Sequence, residues 1–92
     1  MVYFIQSKTT KLIKIGFSRN KKSFQKRICG LSGANSDQLK VLGAIRGGRA
    51  VEKAWHENSE KFHAHHEWFE GHPKLLNRIR KALSDKSRAI SV

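Results

Sequence analysis

Val2-Tyr3-Phe4-Ile5-Gln6, then Ser7-Lys8-Thr9-Thr10-Lys11, then Leu12-Ile13-Lys14-Ile15-Gly16-Phe17 is the stretch on which the fold turns. Its two flanks are rich in β-branched and aromatic residues, which favour strands. The polar segment between them has the length of an ordinary hairpin connection. The stretch therefore predicts a pair of antiparallel strands. Alternation puts Ile13, Ile15 and Phe17 on one face of the second strand and Leu12, Lys14 and Gly16 on the other.

Beyond the hairpin, Ser18 to Lys22 reads as a basic loop. Phe24, Ile28 and Leu31 then fall at helical spacing, with Ser23 as the candidate N-cap and Gly30 and Gly33 stopping the helix near Ser32. Leu39 to Ile45 returns to strand character and ends at Gly47-Gly48. A second helix is predicted from about Arg49 to Phe62, with Val51, Ala54, Trp55, Asn58 and Phe62 on one stripe. His63 to Gly71 reads as irregular, its Trp68-Phe69 pair tucked against the core. Pro73 suits the first turn of a third helix carrying Leu75, Leu76, Ile79, Ala82 and Leu83 on one face. The predicted order is β-β-α-β-α-α. The predicted fold is α+β, a small three-stranded, mainly antiparallel sheet flanked by helices. Residues 1–84 form the predicted domain and 85–92 a frayed C-terminal tail.

The chain has 92 residues, the size of one domain with a small core. Its single Cys29 excludes an internal disulfide and a thiol-rich zinc finger, and points to a reducing, cytoplasmic setting. No run approaches the roughly 18 apolar residues of a membrane span, so no membrane partner is expected. Charge is the informative quantity. Lys and Arg number 19 against 7 Asp and Glu, a formal +12. Such an excess repels itself unless a polyanion offsets it, and neutralised phosphates release counterions, so nucleic acid is the expected partner. The positive residues are spread along the chain, which suggests a charged face rather than a disordered arm.

Several residues do not fit a plain core. Lys14 interrupts an apolar strand, where an unpaired ammonium is costly to bury; a half-solvated hairpin face is the plainer alternative. Gly16, two residues on, leaves room for a backbone or ligand to approach that face. Glu52 and His56 share a helix face at i,i+4, a pair able to hold a divalent metal or act as a base, or simply an ordinary surface pair. Arg27 offers a guanidinium suited to phosphate, or is one more solvated arginine. His63, His65, His66 and His72 raise zinc as an option, but they crowd one loop without nearby thiols and read as solvated.

In order, Val2-Tyr3-Phe4-Ile5, Ile13-Lys14-Ile15-Gly16, Arg27, Leu31, Glu52, His56, Phe62 and Glu67-Trp68-Phe69 resemble the GIY-YIG nuclease superfamily. The likeness is greater to a phage and viral branch with VYF…KIG in place of GIY…YIG. It runs from Val2 to about Phe69. The resemblance implies a metal-dependent endonuclease that hydrolyses DNA phosphodiester bonds. Tyr3 would be the general base and Glu52 the ligand of one Mg²⁺ (or Mn²⁺). Lys14 and Arg27 would stabilise charge and help lower the Tyr3 pKa, and His56 would shuttle a proton or orient a partner. The Lys14-to-Arg27 interval is longer than the family's usual one, so Arg19 stands as the alternative arginine. A second implication is a catalytically idle, basic nucleic-acid-binding module of the same fold. With the nuclease-like region filling the chain, the enzyme would cleave loosely, act as a homodimer on a site, or borrow specificity from a partner protein, in the host cell if the gene is viral.

Overall fold

The computed structural model describes residues 1–34 and 39–91, the side chains of 29–34 excepted. Strands β1 (Val2–Ser7) and β2 (Ile13–Phe17) form the expected hairpin, with Tyr3 opposite Gly16 and Ile5 opposite Lys14. Side chains close the turn: the Thr10 N–H donates to Ser7 Oγ at 3.1 Å and Gln6 Nε2 donates to the Lys11 carbonyl at 3.0 Å. Lys11 takes a left-handed φ of 66°, which reverses the chain without a glycine.

Helix α1 (Lys21–Ala34) starts earlier than the sequence suggests. Asn20, not Ser23, is its cap: Asn20 Oδ1 accepts from the Ser23 N–H at 2.9 Å. An asparagine side chain is among the best acceptors for the open N–H groups of a first turn. The helix also passes Gly30 and Gly33 instead of stopping at Ser32. The side chains of Cys29 and Leu31 lie outside the described residues.

Strand β3 (Leu39–Ile45) pairs antiparallel with β1, on the side away from β2. Its register shifts between Phe4, opposite Gly43, and Ile5, opposite Val41. This bulge leaves one extra residue, Leu42, on β3, and Gly43 takes the φ of 151° that it requires. Helix α2 (Arg49–Asn58) follows, and the chain then tightens into a 3₁₀ turn at Glu60–Phe62, so the long helix predicted to Phe62 is broken at Ser59. Helix α3 (Pro73–Ser84) begins at Pro73 as expected; His72 Nδ1 caps it, accepting from the Lys74 N–H at 3.1 Å.

Among the described residues the sheet has six strands, not three. Strands β4 (His63–His65) and β5 (Trp68–Phe69) extend it beyond β2, and β6 (Ala89–Ile90) extends it beyond β3, in the order β4-β5-β2-β1-β3-β6. The stretch read as irregular and the tail read as frayed both supply strands. Ala44 pairs with Ile90 and Ile45 with Ala89, and the Arg46 N–H donates to the Arg88 carbonyl at 2.8 Å. Segments this short show no alternation of their own; the open edges of β2 and β3 recruit them by offering unpaired backbone groups. The main order β-β-α-β-α-α holds, and the α+β class with it.

Each sheet face has its own core. Helices α2 and α3 cover Val2, Phe4, Ile13, Ile15 and Ile45, with Leu75 and Ile79 pressed between them. Helix α1 covers Tyr3, Ile5 and Ala44 through Phe24. Buried side chains of this size contribute about 1.5–3 kcal/mol each. Gly16 lies on the α1 face, where a Cβ would overlap Cζ and Oη of Tyr3. The space read as room for a backbone or a ligand is thus filled by the protein's own phenol. Gly16→Ala is expected to push that ring out of place and cost about 1–3 kcal/mol, read as a lower melting temperature. An unchanged melting temperature would mean the ring has room to move.

Candidate nucleic-acid interface

Tyr3 is fully buried, and its ring packs on Phe24 with centroids 5.0 Å apart. Its hydroxyl has no hydrogen-bond partner among the described residues. An orphaned buried hydroxyl is rare in a folded protein and calls for an explanation. Burial pushes the phenol's pKa up. The Arg27 guanidinium opposes that shift, approaching the hydroxyl without making a hydrogen bond of good geometry. The carboxylates of Glu67 and Glu52 add to the rise, Glu67 the more. Charged groups from α1, α2 and the β4–β5 turn thus act on this one β1 hydroxyl.

Glu52 is only 8% exposed, in the first turn of α2. Arg49 Nη1 lies 3.8 Å from Glu52 Oε1, and the same guanidinium sits 4.9 Å over the Phe17 ring at the end of β2. Sequence reading assigns Arg49 no role, although its i,i+3 spacing from Glu52 is visible. Lys14 points to the Tyr3 face and stays mostly buried. Its Nζ lies 3.9 Å from Glu67 Oε2. Glu67 stands in the turn before β5, and its carbonyl accepts from the Ile15 N–H at 3.1 Å. The sequence placed Glu67 in the family pattern but assigned it no contact. The Lys14 charge is turned to Glu67, and burial carries the phenol's pKa up.

His56 is half-buried, and its Nε2–H donates to the Ile15 carbonyl at 2.8 Å. Its ring meets the Phe69 ring edge-on at 5.2 Å. The imidazole thus ties α2 to the backbone of β2 rather than to the Tyr3 hydroxyl. Arg19 is exposed in the turn ahead of α1, and only Arg27 of the two arginines acts on Tyr3. The loop histidines have local tasks: His63 Nε2–H donates to the His66 carbonyl at 2.7 Å, and His72 stacks on Phe62. No three His, Cys, Asp or Glu side chains are grouped to hold a metal among the described residues.

Tyr3 is the chain's one tyrosine, so tyrosinate absorbance reads its titration directly. The midpoint is expected above the ordinary value of about 10. Arg27→Ala should raise it further, and Glu67→Gln should lower it. The folded pKa exceeds the unfolded one, so the stability present below about pH 10 is lost as pH climbs through the folded value. A midpoint at the ordinary value, unmoved by either substitution, would contradict this picture.

No helix among the described residues is long and apolar enough to cross a membrane. No curated protein and no solved structure gives a significant match to the chain. The T5orf172 domain family, which is structurally linked to the GIY-YIG superfamily, matches it over residues 1–84. With a nuclease-like α+β architecture and a match over nearly its whole length, the chain belongs to the T5orf172 domain family.

Proposed function

We propose that this chain is a nucleic-acid-binding domain on a nuclease-like fold, with DNA as its partner. The observation that carries the reading is unbalanced charge. The chain holds a formal +12, and the described residues form only two ion pairs. The remaining cations are free to neutralise phosphates, which makes binding tight at low salt and steeply salt-dependent.

Cleavage is a finer reading of the same site, in which the chain is a metal-dependent endonuclease of the VYF…KIG branch. It is favoured by the Tyr3 hydroxyl, buried and unpartnered within electrostatic reach of Arg27 and two carboxylates. Glu52 would hold a divalent ion, Mg²⁺ or Mn²⁺, and that ion would neutralise charge on the phosphoryl oxygens. Tyr3 would then take the proton of the attacking water once the added positive charge has overcome the burial that keeps the phenol protonated. Arg27 would stabilise charge growing on the phosphoryl group, and Lys14 would join it when a phosphate draws it from Glu67. His56 would position α2, and with it Glu52, against β2.

The idle-module alternative is favoured by the upward direction of the Tyr3 pKa and by the capture of Lys14 by Glu67. One experiment separates the two. Supercoiled plasmid is incubated with the full chain and Mg²⁺ or Mn²⁺, with a chelator as control, and binding is followed in parallel across a salt series. Divalent-dependent nicking supports cleavage. Salt-dependent binding without nicking leaves the module. Absence of salt-dependent binding defeats both.

A further inference from the structure

A groove of about 830 Å³ lies between α2 and α3, on the sheet face opposite Tyr3. Its floor is apolar, formed by Ile45, Val51, Trp55 and Ala82. Ala50 and Ala54, one helical turn apart, line one wall and are exposed. Side chains this small let another backbone come close, since the distance between packed helices is set by the residues at the contact. Arg46, Arg78, Lys81 and Arg88 form the rim, all exposed, and none joins an ion pair among the described residues. Arg78 Nη1 donates instead to the Asn58 carbonyl at 2.7 Å, which holds its guanidinium against the end of α2. Asp85, the one acid among the described residues that line the groove, is engaged: its Oδ1 accepts from the N–H and the Oγ–H of Ser87, at 3.0 and 2.7 Å.

We propose that this groove docks an acidic, amphipathic helix of a partner protein. Charge complementarity and shape together carry the assignment. Four cations face one engaged carboxylate, so the occupant must bring negative charge. The floor between them is apolar, so the occupant must also bring hydrophobic side chains. A helix with leucine-like residues at i, i+3, i+4 and i+7 and acids on its flanks meets both demands. Nucleic acid meets only the first. Its phosphates leave an apolar floor unfilled, and the groove's aromatic residue, Trp55, is half-buried edge-on against Phe4 at 4.9 Å rather than open for stacking. The groove stands on the far side of the sheet from Tyr3. A partner seated there could supply target choice without occupying the nucleic-acid face. This inference does not depend on whether the Tyr3 face cleaves.

The test uses the full chain and two fluorescent peptides of the same leucine and glutamate composition. One has its leucines at helical spacing; in the other they are scattered. The patterned peptide is expected to bind at least about tenfold more tightly than the scattered one, a difference of about 1.4 kcal/mol. Ala54→Trp, which fills the groove from an exposed helix position, should abolish that preference while leaving the affinity for duplex DNA within about twofold, and Lys81→Glu, which reverses a rim charge, should weaken the patterned peptide at least about tenfold. Equal affinity for the two peptides would overturn the proposal, as would a preference that survives Ala54→Trp. Loss of single-stranded oligonucleotide binding in Ala54→Trp would assign the groove to nucleic acid instead.

Discussion

Tyr3→Phe is expected to fold more stably than the native chain and to show no divalent-dependent nicking. The two effects share one cause. The Tyr3 hydroxyl is buried with no hydrogen-bond partner among the described residues, and such a group costs about 1–3 kcal/mol. Phenylalanine keeps the ring against Phe24 and the fit over Gly16 while removing that cost. For a domain of this size, 1 kcal/mol corresponds to about 4–8 °C in melting temperature. If the phenol is the general base, its loss removes about 10²–10⁴-fold in rate. Duplex binding should be unchanged, since the hydroxyl is not on the surface. Calorimetry and the plasmid assay check the two arms separately. A lower melting temperature would mean that water satisfies the hydroxyl in solution. Persistent nicking would remove Tyr3 from the chemistry while leaving the binding reading intact. A native domain less stable than its own variant at this position is the trade expected where function holds a polar group in an unfavourable place.

Glu52→Gln should have the second-largest effect, and its signature is a split between binding and cleavage. The substitution is nearly isosteric and leaves the first turn of α2 unchanged in shape. Its ion-pair partner Arg49 is 74% exposed, so the lost pair is expected to cost no more than about 1 kcal/mol. Nicking, however, should fall at least about a hundredfold, since the carboxylate that would hold the divalent ion is gone. Binding measured with a chelator present should tighten, because one negative charge has been removed from a face that meets phosphates. Added Mg²⁺ should no longer affect binding. Equal losses of binding and nicking would mean that Glu52 supports the fold instead, through its own burial in the first turn of α2. Unchanged nicking would exclude it as the metal ligand.

The sequence by itself was enough for the hairpin, because β1 and β2 are long enough for alternation to show and their turn is plainly polar. It was enough for the three helices as well, since Phe24 with Ile28, Val51 with Trp55, and Leu75 with Ile79 repeat at helical spacing. The basic character of the surface needed only a count of residues. The Tyr, Lys, Arg, Glu series could be read because each member lies on an element whose existence was already clear. Tertiary structure decided the rest. Strands β4, β5 and β6 exist because β2 and β3 offer open edges, and two or three residues carry no periodic signal that would announce it. Asn20 caps α1 through a single side-chain contact that Ser23 could equally have made on sequence grounds. Glu67 reaches Lys14 from a turn more than fifty positions along the chain, and that pairing was invisible until the chain folded. The direction of the Tyr3 pKa likewise depends on burial, which belongs to the packed molecule. Local pattern reports what a segment prefers; which charges meet, and how dry they become, is settled only when distant segments share one space.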